Sequence, residues 1–225
     1  MIVPDMIERS NRKTLSLLVL KNGSVIVKAP ISMRDSTINK FVEEKQNWIK
    51  EKLLFVNKTN DKFKDIISYK QFLLYGNKYN LVLSDVKKIE TSDNFEILMP
   101  QKYEKDKILK QLKIWYKKAA KQILQDRLSF IESRVKLKSS AMKIGDSKGR
   151  WGSCNNKGTI CFNFRVIMLP PRIIDYVIVH ELCHLVEMNH SKKFWDLVQK
   201  FLPNYAVARK EIKEYGFLLN LFCEK

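Results

Sequence analysis

Histidine is nearly absent from this chain: three copies in 225 residues, which leaves no histidine for chemistry outside one short segment. Long apolar runs are missing too. No stretch approaches the ~20 residues that a membrane-crossing helix needs, so no helical membrane span is expected. The four cysteines (Cys154, Cys161, Cys183 and Cys223) form no CxxC pair and no disulfide-framework spacing, which suits a reducing compartment. Arginine is sparse, nine of the 42 basic residues. The net charge of +18 therefore rests mainly on lysine, a solvated point charge rather than the planar fork that reads bases and phosphates. The charge is spread along the chain, so the expected nucleic-acid partnership is weak and salt-sensitive rather than specific. The segment Met1–Arg9 has neither a basic leader nor an apolar core, so a signal peptide is not expected and a cytoplasmic location is.

What is present stands out against those gaps. All three histidines fall in the run His180-Glu181-Leu182-Cys183-His184-Leu185-Val186-Glu187-Met188-Asn189-His190. On a helix, His180 and His184 lie about 40° apart and project from one face. Two histidines at that spacing are often ordinary boundary residues. A third at a fixed offset, with none elsewhere, points instead to a metal held by three imidazoles with a position left for solvent, which is the zinc pattern of a catalytic site. Glu181 adjoins the first ligand, where a general base for that solvent molecule belongs. Cys183 is read as a small buried hydrophobe beside the site.

Hydrophobic periodicity divides the chain near residue 101. Residues 1–100 read as a β-rich region with one helix. Thr14–Leu20 and Ser24–Ala29 form a hairpin around Asn22-Gly23, residues 35–55 show helical spacing, and Asn57–Lys64 reads as a loop. Two more hairpins turn at Gly76-Asn77 and Asp93-Asn94. Residues 101–225 begin with a long amphipathic helix, Lys105–Ser133, with Ile108, Leu112, Trp115, Ala119, Ile123 and Leu128 facing the core. Strands Ala141–Gly145 and Thr159–Arg165 flank Lys148–Cys154, and Asn155–Gly158 closes the turn. Pro170-Pro171 opens a largely apolar helix, Arg172–Met188, which must be buried. Asn189 is expected to end it in the left-handed conformation and return His190 to the metal. Ser191 caps a helix to Leu202, and a last helix spans Ala206–Phe222. No internal repeat or low-complexity linker interrupts the pattern.

With these residues in view, the second half closely resembles the YgjP-like metallopeptidases, a group allied to the SprT-like and WLM zincins. The resemblance rests on Arg150-Trp151-Gly152-Ser153-Cys154, Ile160–Arg165, Asp175–His184 and Asn189–Trp195, and a weaker N-terminal signal in Arg12-Lys13 and Asn22–Val25 agrees with it. It implies an α+β, zincin-like fold in which an antiparallel sheet lies against the helix carrying HExxH, with the active cleft between them. It also implies a zinc metallopeptidase acting on protein or peptide, with His180, His184 and His190 as ligands and Glu181 as base. Glu187 or Glu211 stands as an alternative third ligand, because some zincins use an acid there. Arg150, Asn163 and Tyr205 are the candidate donors to the developing oxyanion. Trp151, Phe194 and Trp195 are read as core or cleft wall. Two other functions remain open on the sequence: a metal-dependent nucleoside triphosphate pyrophosphohydrolase, which a basic surface suits, and a DNA-associated module whose zinc is structural and closed by Cys154, Cys161 or Cys183.

Overall fold

The structure, a computed structural model, describes residues 1–222, apart from the side chains of residues 105 and 106; Cys223 lies outside the described residues. The chain forms two compact units, Met1–Ile67 and Ser68–Lys225. The division falls well before the position near 101 that composition suggested. The hairpins of residues 71–100 are tied by hydrogen bonds to the helical region that follows them. Tyr75 N–H donates to the Ile167 carbonyl (2.8 Å) and Gly76 N–H to Met168 (3.1 Å). The buried Tyr116 hydroxyl donates to the Leu73 carbonyl at 2.8 Å.

The first unit packs a three-stranded sheet against helices. The strands are β1 (Met6–Ser10), β2 (Ser16–Val19) and β3 (Val25–Pro30), in the order β1-β3-β2. The hairpin β2–β3 turns at Asn22-Gly23 as the sequence predicts: Gly23 has φ +87°, and the Asn22 side chain accepts from Ser24 N–H at 3.0 Å. β1 is an addition, paired in parallel with β3. Val25, Val27 and Ala29 alternate inward onto Ile38, Val42 and Ile49. The helical region is α1 (Asp35–Glu44), α2 (Gln46–Lys62) and the short α3 (Lys64–Ile67). The break at Lys45 places Gln46 so that its side chain both accepts from and donates to the backbone of Ile2 (2.7 and 2.8 Å). The polar run expected as a loop instead continues the helix as far as Lys62. A run of exposed polar residues suits the solvent face of a helix as well as a loop, and Asn60 uses its place there to donate to the Lys21 carbonyl at 2.9 Å.

The second unit carries two sheets. The first has the order β4-β5-β7-β6, from β4 (Gln71–Leu74), β5 (Asn77–Ser84), β6 (Glu90–Ser92) and β7 (Glu96–Pro100). The β4–β5 turn must hold glycine: Gly76 has φ +79°, and a Cβ there would lie 2.8 Å from Pro170 Cγ. α4 (Lys105–Val135) buries Leu112, Tyr116, Ala120, Leu124, Leu128 and Ile131, one helical stripe. Leu112 and Leu128 were expected there, whereas Ile108, Trp115, Ala119 and Ile123 are only half-buried at its margins. α4 ends at Lys136, in the left-handed conformation with φ +60°.

The second sheet consists of β8 (Ala141–Gly145), β9 (Gly152–Cys154) and β10 (Thr159–Asn163), in the order β8-β10-β9. The α+β class holds, but this sheet is mixed rather than antiparallel throughout: β10 runs antiparallel to β9 and parallel to β8. Residues 146–151 carry the chain past the end of β10, so β9 returns along its opposite edge. A buried 3-10 segment, Phe164–Met168, then leads into α5 (Pro171–Cys183), followed by α6 (Lys192–Phe201) and α7 (Tyr205–Glu211). A second 3-10 segment, Ile212–Asn220, replaces the rest of the expected last helix. Among the described residues no helix is long and apolar enough to cross a membrane.

Candidate metal centre

α5 is apolar around most of its circumference, and Ile173, Ile174, Val177, Ile178, Val179, Leu182 and Cys183 are all buried. That burial fixes the helix axially, so His180 and His184, one turn apart, face the same cleft. The helix ends at Cys183, earlier than the periodicity predicts, and Val186 and Met188 are exposed. Its last carbonyls are satisfied by a turn: Leu185 N–H donates to Leu182, and both Val186 and Glu187 N–H donate to Cys183. Asn189 is not left-handed, since it is absent from the positive-φ residues of the described chain. Its side chain accepts instead from Ser191 N–H (3.2 Å), and Ser191 caps α6 by accepting from Phe194 N–H (3.4 Å). His190 is thus returned by an Asx turn rather than by a left-handed cap.

The three imidazoles converge. One ligand nitrogen from each lies within 4.8 Å of the others, and no carboxylate or thiol of the described residues joins the group. The Nε2 atoms of His180 and His190 stand 3.1 Å apart. Two nitrogens at ~2.0–2.1 Å from a tetrahedral zinc are separated by roughly 3.3 Å, so this spacing fits the ion. His184 Nδ1 lies 2.9 Å from the Glu187 carbonyl, to which it donates; this leaves its Nε2 lone pair free for a metal. His180 Nδ1 is buried with no partner, so packing alone orients that ring. Phe194 supplies the packing: fully buried, it meets the rings of His180, His184 and His190 at centroid distances of 4.9, 4.5 and 4.8 Å. Burial, reinforced by the other two histidines and by Arg209, lowers the His180 pKa to about 3, so the ring stays neutral and able to ligate.

Glu181 is only 5 % exposed and lies against β9. The fit is tight enough that a Cβ on Gly152 would sit 2.6 Å from Glu181 Oε1. Burial raises its pKa to about 7 against the opposing pull of Arg150, which poises the carboxyl for proton exchange near neutrality. Arg150, Trp151, Gly152, Ser153, Cys154, Tyr176 and Ile212 complete a cleft of about 440 Å³ around the histidines and Glu181. β9 is the free edge of its sheet and forms one wall.

The three expected oxyanion donors part company. Arg150 lines the cleft. Asn163 lines a separate cavity of about 180 Å³ behind the loop, where its amide donates to the carbonyls of Ser147 (2.6 Å) and Arg150 (3.2 Å) and so holds the loop that presents Arg150. Tyr205 stacks on Trp195 (5.4 Å, 16°), and Trp195 in turn stacks on His190 (5.6 Å, 22°). Neither alternative acid joins the ligands: Glu211 is held by Arg172 (2.9 Å), and Glu187 contributes its carbonyl to His184. Cys154, Cys161 and Cys183 are free thiols, and Cys183 is buried as expected.

Sequence reasoning missed three neighbours. Tyr176 sits one turn before His180, with ring centroids 5.8 Å apart, and burial pushes its phenol up to about 12 against the pull of Arg209, so it keeps its proton and can donate. Arg209 lies over Trp195 at 4.0 Å. Gly152 makes room for Glu181. The i, i+4 spacings Tyr176/His180 and Tyr205/Arg209 were the available signals for two of them.

Residues 13–215 match the family model described as YgjP-like, metallopeptidase domain. No curated protein matches the chain. Among solved structures, the crystal structure of the metallopeptidase zymogen of Pyrococcus abyssi abylysin is 25% identical over 40% of this chain and 90% of that one, with a TM-score of 0.37. The family match takes in the three histidines, Glu181, both walls of the cleft and most of the N-terminal unit, and on that extent the chain belongs to the YgjP-like metallopeptidase family.

Proposed function

We propose that this protein is a zinc-dependent peptidase that hydrolyses peptide bonds, working in the cytoplasm, where its free thiols stay reduced. One observation carries the reading: three converging imidazoles and a buried carboxyl share one cleft whose wall is an unpaired strand edge. His180, His184 and His190 would hold the zinc, which would supply Lewis acidity to a water molecule and to the scissile carbonyl. Glu181 accepts the proton of the attacking water and delivers it to the departing amide nitrogen. Its low exposure keeps competing water from that carboxyl. The free backbone groups of Gly152–Cys154 offer ladder hydrogen bonds to an extended peptide, which seats the scissile bond beside the histidines. Arg150 and Tyr176, which line the same cleft, would serve as donors to the developing oxyanion, with Asn163 acting by fixing the Arg150 loop.

A magnesium-dependent triphosphate hydrolase draws less support, because magnesium is held through carboxylates and Glu181 is the one acidic side chain among the residues that line the cleft.

The test pairs metal analysis with hydrolysis. Wild type is expected to bind one zinc per chain and to cleave casein or a fluorogenic peptide in a chelator-sensitive manner. Glu181→Gln should keep the zinc and lose roughly 10²–10⁴-fold in kcat/KM. Full activity in Glu181→Gln, or a wild type that takes up no zinc, would overturn the reading.

A further inference from the structure

Among the described residues, four of the nine arginines hold carboxylates: Arg9 with Asp35, Arg127 with Asp175, Arg165 with Asp146 and Arg172 with Glu211. Arg209 is one of the five for which no such pair is seen. Among the described residues its guanidinium has no hydrogen bond and no ion pair, although it stands beside the metal-binding cleft. Its neighbour on α7, Glu211, is turned to Arg172 instead. The contact that Arg209 does make is with the ring of Trp195, 4.0 Å from the guanidinium carbon.

That contact sets both position and availability. Trp195 contacts both Arg209 and the histidines, stacked on His190 and 5.9 Å from His180 by ring centroids. Ile212, one turn beyond Arg209, lines the cleft itself. Arg209 therefore stands one ring contact away from His190, and the residue one turn beyond it lines the cleft. Stacking uses the face of a guanidinium and leaves the N–H donors in its plane free, in the fork that fits a carboxylate. It also restricts a long side chain before any ligand arrives, so less rotamer freedom is lost on binding.

The exposed charge of the cleft lining is positive. Glu181, the single acid among the cleft-lining residues, is buried against Gly152, and Arg150, which also lines the cleft, is exposed. A neutral or basic peptide gains nothing from this lining, and an acidic one does. We propose that Arg209 is a specificity-determining residue that receives a carboxylate of the bound peptide, from an Asp or Glu side chain near the scissile bond or from a free C-terminus. The proposal rests on the peptidase reading, whose substrate class it narrows.

Binding can be measured without turnover in zinc-loaded Glu181→Gln, by fluorescence anisotropy of dansylated alanine-based hexapeptides. One arm scans Glu against Gln through each position of C-terminally amidated peptides. The other compares the free acid with the amide of the all-alanine peptide. At low salt, one arm is expected to show the carboxylate form binding roughly tenfold more tightly at its best position. Adding Arg209→Gln should cut that preference to about twofold or less, while Arg209→Lys, which keeps the charge but not the fork, should retain part of it. Zinc content of each variant checks that the site is intact. Equal affinities in both arms, or a preference that survives Arg209→Gln, would overturn the proposal. The two readings fail separately: hydrolysis of neutral and acidic peptides alike, unaffected by Arg209→Gln, removes the Arg209 role and leaves the peptidase. Arg209-dependent binding with no hydrolysis by the Glu181-intact protein removes the peptidase and leaves Arg209.

Discussion

Gly152 and Glu181 occupy adjoining space so closely that no other residue fits at 152. A Cβ there would lie 2.6 to 2.8 Å from Oε1, Cγ and Cδ of Glu181. The reason is side-chain crowding rather than backbone freedom, since Gly152 is not among the positive-φ glycines. Gly152→Ala must push Glu181 out of its pocket or push β9 off the helix. Either shift moves the proton acceptor by a large part of an ångström, which is enough to cost about 10²-fold in rate. The expected outcome is a fall in kcat/KM of that order with stoichiometric zinc retained, because the three ligands lie elsewhere. Overpacking should also destabilise the fold by about 1–3 kcal/mol. Measuring kcat/KM beside zinc content separates this from a general loss of structure. Near-wild-type activity in Gly152→Ala would refute the steric argument.

Local chemistry was legible in the sequence, and distant pairing was not. The His180/His184/His190 trio, the Asn22-Gly23 turn and the Ser191 cap each depend on residues a few positions apart, and each stands where the pattern puts it. The parallel pairs β1–β3, β5–β7 and β8–β10 are another matter. Alternation shows that a strand has an inner face, but nothing in it names the neighbour. β1 has little alternation to show, because it is largely exposed. The end of α5 was misplaced because Leu185 and Val186 continue the apolar run, while the actual stop comes from backbone hydrogen bonds to Leu182 and Cys183. Arg209 and Gly152 owe their roles to Trp195 and Glu181, partners that only folding brings near.

Asp146 ties three elements together and should govern stability in acid. Its carboxylate accepts from Arg165 (2.6 Å), Lys113 (2.9 Å) and Lys117 (3.1 Å), and Arg165 is fully buried. Burial by itself would raise the Asp146 pKa, but the hydrogen bonds from Lys113, Arg165 and Lys117 outweigh it and hold the carboxyl well below its ordinary range. A depressed folded-state pKa contributes stability that is present above the unfolded value of ~3.9 and is lost as pH falls through the folded value. Asp146→Asn is therefore expected to cost about 3 kcal/mol at pH 7, because the buried guanidinium loses its charged partner while keeping the Leu221 carbonyl and Asn163. The penalty should shrink once the wild-type carboxylate itself is protonated, far below pH 3.9. Urea melts of both proteins at pH 7 and at successively lower pH test this. A difference that does not narrow in acid would show that the ion pairs are not its source.

Metal binding should appear as stability as well as activity. The three imidazole nitrogens already face one another, so an ion held by them would favour the folded chain, having no comparable site in the unfolded one. By mass action, free zinc at about 100 times its Kd adds roughly 2.7 kcal/mol. For a unit of this size, that shifts the melting temperature by about 5–10 °C. His190 is exposed, so His190→Ala should leave the metal-free melting temperature almost unchanged while removing most of the zinc-induced shift. Phe194→Leu makes the complementary case. It keeps every ligand but loses the ring that packs His180, His184 and His190 together. It should lower the metal-free melting temperature and weaken zinc about 10–100-fold, as the loss of outer supports does at other metal sites. Differential scanning calorimetry with and without chelator resolves the two patterns. A zinc shift in His190→Ala as large as in wild type would place the third ligand elsewhere.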